Sequence, residues 1–423
     1  MSNNIIKEPD LKDHIDGVGI EVYSRWKEYK LGELAEITSS KRIFYAEYVN
    51  KGVPFYRSKE IINKYNKQEI HTELFITEIK FEEIKRKFGV PVKDDILLTS
   101  VGTLGIPYLV TEDDCFYFKD GNLTWFRNID KSKIDVSYLF IWLQTRIGKQ
   151  KLDEISIGST QPALTIAGLK SIDIFLPNLA EQTGIANIHS CLDDKIDLLH
   201  RQNKTLEQLA ETLFRQWFVE EAEESWEVQP LGKVFDIGIG RTPPRKEQHW
   251  FTLNHTDVKW VSIKDMGTSG IYIDTVSEYL TQQAIENFSV PLIPENTVML
   301  SFKMTIGRLA ISTEKMVSNE AIAHFKQKKG SFLFPEFLYL FLKTYSWLEL
   351  GSTSSIVESI NSQMIKEIEM TIPNNEKLVT FKETIKPKFD KIKSNQIQIR
   401  TLTRTRDTLL PKLMSGEMRI NLA

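Results

Sequence analysis

The chain consists of two halves, each about 200 residues long, that carry the same short motifs in the same order. Trp26 and Leu31-Gly32 open the first half, and Trp226 and Leu231-Gly232 open the second. Five further segments recur in order: Phe55–Lys59 as Trp260–Lys264, Asp95–Gly105 as Thr297–Gly307, Tyr138–Thr145 as Phe337–Thr344, Gly158–Thr160 as Gly351–Thr353, and Lys170–Pro177 as Lys366–Pro373. An ordered series of this kind indicates a tandem duplication, so we expect two similar domains.

A long helical pattern with almost no glycine or proline follows each half. In the first, apolar residues recur every seven positions beside a second seam: Ile185, Leu192, Leu199, Leu206 and Leu213, with Ile196, Asn203, Ala210 and Trp217. In the second, the matching positions hold Ile385, Ile392 and Ile399, with Phe389 and Gln396 beside them. This spacing is typical of coiled coils. Pro387 predicts a kink near the start of the second helix, and Arg406 interrupts its seam.

Two amide side chains fall at the same heptad position of the two helices. Asn203 lies in the first seam and Gln396 in the second. A buried amide pair there would fix the register of the helices at some cost in stability. The alternative is that they are two unrelated polar interruptions.

The order of domain, helix, domain, helix sends the second helix back towards the first domain. The helices should therefore pair antiparallel, with the acid-rich first helix attracting the base-rich second. We predict an α+β protein in which two similar globular domains are separated by two long antiparallel coiled-coil helices and form a pseudo-two-fold internal repeat. The expected parts are an N-terminal extension (1–25), a first domain (26–177), a first spacer helix (178–222), a second domain (223–373), and a second spacer helix with a C-terminal tail (374–423).

Composition restricts the classes of function. The 423 residues carry a net charge of -3, which argues against a DNA binder that is basic over its whole surface, so any DNA contact must be locally organised. Two cysteines, Cys115 and Cys191, are too few for a disulfide framework or a cysteine zinc site. The polar start lacks a secretory signal, and charges and a proline interrupt the apolar stretch 332–347. We therefore expect a cytoplasmic protein that contacts no membrane.

Several motifs resemble those of the specificity subunits of type I restriction-modification enzymes. They are Gly240–Trp250 (GRTPPRKEQHW), Trp260–Asp265 (WVSIKD), Leu300–Gly307 (LSFKMTIG) and Asp407–Glu417 (DTLLPKLMSGE). The similarity extends from Trp26 to Ile420, although the first half lacks the Thr-Pro-Pro turn. The resemblance implies that the two domains are target-recognition domains and that the chain reads DNA without catalysing a reaction.

The resemblance also implies a set of partners. These are double-stranded DNA, two modification (methyltransferase) subunits and, in the full complex, restriction (motor-nuclease) subunits. The holoenzyme would then be an adenine-specific DNA methyltransferase and an ATP-dependent endonuclease that defends against foreign DNA. S-adenosylmethionine, ATP and Mg²⁺ are accordingly expected on the partner subunits, and no cofactor is expected on this chain.

The candidate DNA contacts are basic and hydroxyl side chains in loops. Arginine can donate two hydrogen bonds to guanine or one to a phosphate, and loops with glycine and hydroxyls allow the backbone to approach phosphates closely. The candidates are Arg241, Thr242, Arg245, Lys246, Lys264, Lys303 and Arg308 for one half of the target, and Arg57, Lys59 and Thr103 for the other. Taken singly, the segment Thr242–Arg245 is equally typical of an ordinary surface loop, and the loops Thr99–Gly105 and Ser301–Arg308 are more typical of an ordinary turn.

Motifs for catalysis are missing from the sequence. In Thr242-Pro243-Pro244-Arg245, threonine and arginine replace the polar residue and the aromatic ring with which an adenine methyltransferase holds a flipped base. Glu83-Ile84-Lys85 has a nuclease-like spacing, but it lies in a charged helical run. We therefore assign no catalytic residue and no metal site. The alternatives are a stand-alone DNA-modifying enzyme, which these missing motifs disfavour, and a coiled-coil scaffold that binds protein but not DNA.

Two unlike domains held at a fixed separation predict an asymmetric, gapped target. Each domain would read one short half-site, and unspecified bases would lie between the half-sites. The first helix spans on the order of 50 Å, whereas major-groove faces recur roughly every 34 Å along the duplex. The ends of the helices should therefore insert beneath the domains, and the helices would set the length of the gap.

Overall fold

The computed structural model describes residues 26–158, 160–347 and 360–420. The predicted extension 1–25, Ser159, the repeated Gly351-Ser352-Thr353 motif and residues 421–423 lie outside the described residues. The described chain divides into two compact units. The first unit holds the residues up to Asp194 and those from Thr403 onward, and the second holds Lys195–Leu402. Each unit therefore contains one α+β domain and a part of each long helix.

The first unit contains the following elements in chain order. Its strands are β1 Lys27–Lys30, β2 Glu36–Thr38, β3 Tyr48–Val49, β4 Val53–Tyr56, β5 Phe75–Ile76, β6 Ile96–Thr99, β7 Pro107–Leu109, β8 Tyr117–Phe118, β9 Leu123–Arg127 and β10 Asp173–Leu176. Its helices are α1 Leu31–Leu34, α2 Ser58–Tyr65, α3 Glu78–Phe88, α4 Val136–Gln144, α5 Arg146–Glu154 and α6 Ile166–Ser171. The long helix α7 Leu179–Arg215 begins here and ends in the second unit, where a π-helical turn, Gln216–Glu220, follows it.

The second unit repeats this order. Its strands are β11 Glu227–Pro230, β12 Phe235–Ile239, β13 Phe251–Thr252, β14 Val258–Val261, β15 Tyr272–Ile273, β16 Glu278–Leu280, β17 Val298–Ser301, β18 Leu309–Ser312, β19 Val317–Ser318, β20 Ile322–Gln327 and β21 Glu369–Ile372. Its helices are α8 Leu231–Val234, α9 Ile263–Thr268, α10 Gln282–Asn287, α11 Pro335–Thr344 and α12 Ser362–Glu367. The second long helix, α13 Asn375–Met414, begins here and ends in the first unit.

The sheets of the two units have the same topology. The first unit has one sheet in the order β2-β9-β6-β7 and another in the order β3-β5-β4-β8. The second unit has the matching orders β12-β20-β17-β18, extended by β15, and β13-β16-β14-β19. In each unit the first strand also pairs antiparallel with the last, as β1 with β10 and β11 with β21. The predicted fold class, two similar α+β domains in an internal repeat with two long helices, is confirmed.

Strand register shows which positions of the two halves correspond. Phe55 pairs with Tyr117 as Trp260 pairs with Val317, and Thr99 pairs with Leu123 as Ser301 pairs with Ile322. Counting on from these pairs, Lys59 corresponds to Lys264 and Thr103 to Thr305. These correspondences agree with the sequence matches from which the duplication was inferred.

Each domain closes around its own apolar core, and an apolar helix lies at the centre of each. Helix α4 buries Tyr138, Leu139 and Trp142 against the first core, and α11 buries Phe337 and Leu340 against the second. The apolar stretch 332–347 thus contains a core helix, α11. No helix in the described ranges is long and apolar enough to span a membrane.

The two long helices pack antiparallel within each unit. In the first unit Asp193 binds Arg406 at 2.6 Å, and Glu181 binds Arg419 at 2.7 Å. In the second unit the rings of Phe214 and Phe381 lie 6.1 Å apart. The remaining seam residues of the heptad pattern are buried or half-buried, among them Ile185, Leu199, Ala210, Ile385, Phe389 and Ile392. Ion pairs between the acidic first helix and basic C-terminal residues thus join an apolar seam, as the charge pattern predicted.

Of the two interpretations of Asn203 and Gln396, an amide pair or two unrelated polar interruptions, the pair does not form. The neighbouring Asn395, fully buried, donates through Nδ2 to Asn203 Oδ1 and to Gln202 Oε1, each at 2.8 Å. Gln396 instead binds the main-chain N–H and C=O of Tyr272, each at 3.1 Å. It therefore ties the helix to its own domain. Helix α13 runs without interruption through Pro387, and the kink there stays a prediction.

Replacing Asn395 by leucine should stabilise the protein. Oδ1 of Asn395 is buried without a partner, whereas Gln202 is exposed and Asn203 half-exposed, so water can replace their lost hydrogen bonds. We expect the free energy of unfolding of Asn395→Leu to rise by about 1 kcal/mol in urea titration. Asn395→Asp, which buries a charge at the same position, should lower it. A less stable leucine variant would show that the amide contacts outweigh the burial of the unpaired oxygen.

Candidate nucleic-acid interface

In the second unit, two loops with candidate residues leave the same end of the large sheet. Ile239, the last residue of β12, pairs with Ala323, and Ser301, the last residue of β17, pairs with Ile322. Because Ile322 and Ala323 are neighbours at the start of β20, the loop after β12 (240–247) and the hairpin loop after β17 (302–308) emerge side by side. We call these two loops, together with the start of α9, the loop end of the second unit. The loop end of the first unit consists of the loop after β2 (39–44), the hairpin loop after β6 (100–106) and the start of α2.

The hairpin loop has a defined conformation. Ser301 N–H donates to the Arg308 carbonyl at 2.9 Å, Gly307 N–H donates to the Ser301 carbonyl at 3.0 Å, and Arg308 N–H donates to Ser301 Oγ at 3.0 Å. Met304 and Gly307 have positive φ angles of 62° and 86°. The loop therefore holds its exposed tip, which includes Lys303, in a fixed position.

The first unit contains the same hairpin. Gly105 N–H donates to the Thr99 carbonyl at 2.8 Å, and Ile106 N–H donates to Thr99 Oγ1 at 2.9 Å. Gly102 and Gly105 have φ angles of 80° and 73°, at the positions of Met304 and Gly307. The candidate Thr103 is exposed at the tip of this loop. However, Val101 and Ile106 replace Lys303 and Arg308, so the two hairpins share their geometry and differ in charge.

Arg308 joins the hairpin to the start of helix α9. Its Nη1 donates to the Ile263 carbonyl at 2.6 Å. Ser262 caps the helix, and Asp265, which is buried, accepts from Ser262 N–H at 2.9 Å. The exposed side chain of Lys264 lies in the first turn of this helix. The structure thus brings Lys264 and the hairpin together.

Intramolecular contacts hold the loop 240–247 in place. Arg241 N–H donates to the Ser318 carbonyl at 2.8 Å, and its guanidinium donates to the Phe288 carbonyl at 2.6 Å. Thr242 Oγ1 donates to the Glu320 carboxylate. Lys246 lies exposed on the same loop.

Arg245 takes part in the most extensive of these contacts. Its two terminal nitrogens donate to the two carboxylate oxygens of Glu278, both at 2.9 Å. The guanidinium also stacks on the rings of Phe251 and Trp260, with centroid distances of 4.0 and 4.5 Å. The guanidinium therefore makes a two-fold ion pair and lies against two aromatic rings, while about half of the side chain stays exposed.

The first unit fills the equivalent place with apolar side chains. By strand register, Phe55 corresponds to Trp260 and Leu74 to Glu278. Ile43, from the loop after β2, is buried against Phe55 in a cluster that Leu74 borders. The position of Glu278 in the second unit is thus occupied by an apolar residue, Leu74, in the first. The ion pair with Glu278 and the two ring contacts indicate that Arg245 anchors its loop.

Arg57, the candidate arginine of the first unit, is also held by a carboxylate. It precedes helix α2, and its Nη2 donates to Glu60 Oε1 at 2.9 Å. Burial alone would raise the pKa of Glu60, but the hydrogen bonds from Arg57 outweigh that effect and lower the pKa below its ordinary value. The neighbouring Lys59, in the first turn of α2, is exposed like its counterpart Lys264.

The candidate residues thus fall into two groups. The arginines Arg57, Arg241, Arg245 and Arg308 all contact other parts of the protein. Within the part of the chain that the structure describes, the side chains of Lys59, Lys246 and Lys264 make no hydrogen bond or ion pair, and Lys303 contacts only the ring of its neighbour Phe302. The lysines are therefore available to a ligand without the loss of an internal contact.

The sequence reasoning missed two residues in the loop after β2 of the first unit, Lys41 and Arg42. By register, Lys41 and Arg42 of the first unit correspond to Arg241 and Thr242. Arg42 binds Asp120 at 3.0 Å, as Thr242 binds the equivalent Glu320. No motif links SKR at 40–42 with GRT at 240–242. Counting residues onward from β2 and from its counterpart β12 would have aligned these two segments.

Among the described residues, no group of three or more histidine, cysteine, aspartate or glutamate side chains is arranged to hold a metal ion. The candidate interface thus consists of loops that carry exposed lysines and arginines with internal contacts.

Comparison with known proteins shows the same two-part organisation. The family model described as the type I restriction modification DNA specificity domain matches this chain twice, over residues 23–208 and 223–404. The MjaIX type I restriction enzyme specificity subunit of Methanocaldococcus jannaschii is 27% identical, over 93% of this chain and 94% of that protein. The HindI specificity subunit of Haemophilus influenzae is 24% identical, over 93% of this chain and the whole of that protein.

A solved structure has a similar fold. The crystal structure of the type I restriction-modification system S subunit from M. genitalium matches with a TM-score of 0.61 at 16% identity. The match covers 94% of this chain and 97% of that one. At this identity the similarity shows the fold alone.

A double substitution should separate the anchoring of the loop by Arg245 from base reading. Arg245→Met and Glu278→Leu would each lower the free energy of unfolding by about 1 kcal/mol, and the double variant should recover most of that loss because neither charge is then left without its partner. Thermal unfolding of the three variants measures the coupling. If Arg245 only anchors the loop, the double variant should select the same DNA sequence as the parent, and relaxed selectivity at one base pair would assign it a reading role instead.

Proposed function

We propose, because this chain belongs to the type I restriction modification DNA specificity family, that it is the subunit that reads the DNA target for a type I enzyme. Homologous specificity subunits cover nearly its whole length. The observation that carries the proposal is the repeated loop end, in which a braced hairpin accompanies a helix start that presents an unpaired lysine, Lys59 in the first unit and Lys264 in the second. Such lysines suit phosphate contacts, and the loops between them suit contacts to base edges.

The repeat supports a target in two parts. The two loop ends share strand order and hairpin conformation, which suits two readers of the same kind of duplex. They differ in the charge of the hairpin, where Val101 corresponds to Lys303 and Ile106 to Arg308. We infer that the half-sites differ in sequence and that the long helices set the gap between them. The boundaries 26–177 and 223–373 for the two target-recognition domains belong to this proposal.

The partners follow from the same proposal. The chain would assemble with two methyltransferase subunits, which bring S-adenosylmethionine, and with restriction subunits, which bring ATP and Mg²⁺. It would itself catalyse no reaction and would act in the cytoplasm. Its own contribution is to place the partner enzyme over a chosen adenine.

The two groups of candidate residues would have different roles. Lys59, Lys246, Lys264 and Lys303 would contact phosphates, because their ammonium groups are exposed and unpaired. The arginines and Thr242 would hold the loops in the shape that the groove requires, and would contact bases only by exchanging an internal partner for DNA. Thr103 would contact the DNA at the tip of the first hairpin.

The role of Lys264 can be tested by removing its charge. In the complex with the methyltransferase subunits, Lys264→Ala should weaken binding to all DNA sequences alike and lower the slope of log K against log salt by about 1. Lys329→Ala is the matched control, since Lys329 is also exposed but follows β20 at the opposite end of the large sheet. Filter binding over a range of salt concentrations measures both quantities.

The result discriminates between the proposal and its alternative. An unchanged salt slope in Lys264→Ala, or an equal effect of Lys329→Ala, would count against a DNA-reading loop end. A wild-type complex that binds its partners but selects no DNA sequence would favour a protein-binding scaffold.

A further inference from the structure

The hairpin tip of the second unit presents an apolar side chain to solvent in an unfavourable backbone conformation. Met304 is 95% exposed, and its φ angle of 62° lies in the left-handed region that L-residues with a side chain rarely adopt. Neither feature stabilises the folded chain. Residues held in such conformations are concentrated at functional sites, where the surrounding structure maintains them.

The surrounding loop holds Met304 in this position. Thr305 N–H donates to the Lys303 carbonyl at 2.7 Å, and Ser301 Oγ donates to the Thr305 carbonyl at 2.5 Å. Arg308 ties the other side of the hairpin to helix α9. The thioether is therefore projected from a rigid tip, so that little conformational freedom is lost if it contacts a ligand.

The equivalent position of the first unit shows that the hairpin does not require a side chain here. Gly102 occupies it with a φ angle of 80°, and the hairpin keeps the three hydrogen bonds at its base, which join Thr99 to Gly105 and Ile106. Glycine adopts this conformation without strain. A methionine in its place thus adds strain and exposed apolar surface to a loop that forms without either.

The charges beside Met304 indicate what covers it. Lys303 is its exposed neighbour, and Lys264 lies on the helix turn to which the hairpin is tied. An apolar tip flanked by unpaired lysines suits a groove of double-stranded DNA, where phosphates border apolar base surfaces. A protein partner with an apolar pocket would leave these lysines without acceptors.

We propose that Met304 enters a groove of the DNA target and makes an apolar contact with the bases of the half-site that the second unit reads. This inference rests on the proposed function. The contact is either with the face of a partly unstacked base pair or with the methyl group of a thymine. Because the first unit has Gly102, this contact belongs to one half-site alone.

The test replaces Met304 by the residue of the other half. In the complex with the methyltransferase subunits, Met304→Gly should bind the specific duplex about tenfold more weakly, because the apolar burial is lost, while binding to unrelated duplex stays the same. Its thermal stability should be equal to or greater than that of the parent, since glycine relieves the strain. Met304→Leu should keep most of the affinity. The control is Leu253→Gly, which removes a 78% exposed side chain from the loop before β14, at the end of the small sheet away from α9, and should change nothing.

Two modified duplexes distinguish the two base surfaces. With 2-aminopurine in the half-site, a fluorescence increase that the wild-type complex gives and Met304→Gly does not would identify an unstacked base. With deoxyuridine in place of each thymine, a loss of affinity in the wild type alone would identify a methyl contact. Either result supports the inference. The inference is overturned if Met304→Gly binds like the parent, or if this variant weakens binding to all sequences equally. It is also overturned if neither modified duplex distinguishes Met304→Gly from the parent. A wild-type complex without sequence selectivity would instead overturn the proposed function.

Discussion

The pairing of the first strand of each domain with its last strand is the constraint on which the rest of the structure depends. After β1 and β11 the chain turns at once, and Leu31 N–H donates to the Ile172 carbonyl at 2.9 Å as Leu231 N–H donates to the Ile368 carbonyl at 2.8 Å. The glycines that follow allow the two ends of the domain to approach closely. A Cβ on Gly32 would lie 3.0 Å from the side chain of Lys170, and one on Gly232 equally close to that of Lys366. The repeated Leu-Gly motif is therefore the mark of a closed domain whose two ends meet.

This closure explains why a domain can be inserted between two helices. Each long helix starts within a few residues of the strand that completes the pairing, after Leu176 and after Ile372. The polypeptide thus leaves each domain where it entered. The sheets between those ends vary in their loops without changing the path into the helix. A duplicated domain can in this way change what it contacts while its connections to the helices stay the same.

The sequence predicted the parts of the structure that depend on periodicity and order. Heptads placed both helices, and the order of motifs placed the corresponding strands, because burial and hydrogen-bond register act on many residues at once. Single polar contacts were less predictable. Asn395 and Gln396 are neighbours, and only the three-dimensional packing decides that the first binds Asn203 and the second binds Tyr272. Likewise the sequence could nominate Arg245 as a base reader, but it could not show that Glu278 and two rings hold it. The sequence alone therefore could not separate the unpaired lysines from the arginines that other residues hold.

The central claim is that each domain reads its own half-site, and replacing one domain by the other tests it most directly. The segment from Glu227 to Ile372, bounded by the β11·β21 pair, would be exchanged for a copy of Lys27–Leu176, bounded by the equivalent β1·β10 pair, with both long helices left intact. Adenine methylation would then be mapped across a genome in cells with the methyltransferase subunits. The account predicts a target made of two copies of one half-site with an unchanged gap. An unchanged asymmetric target would contradict it.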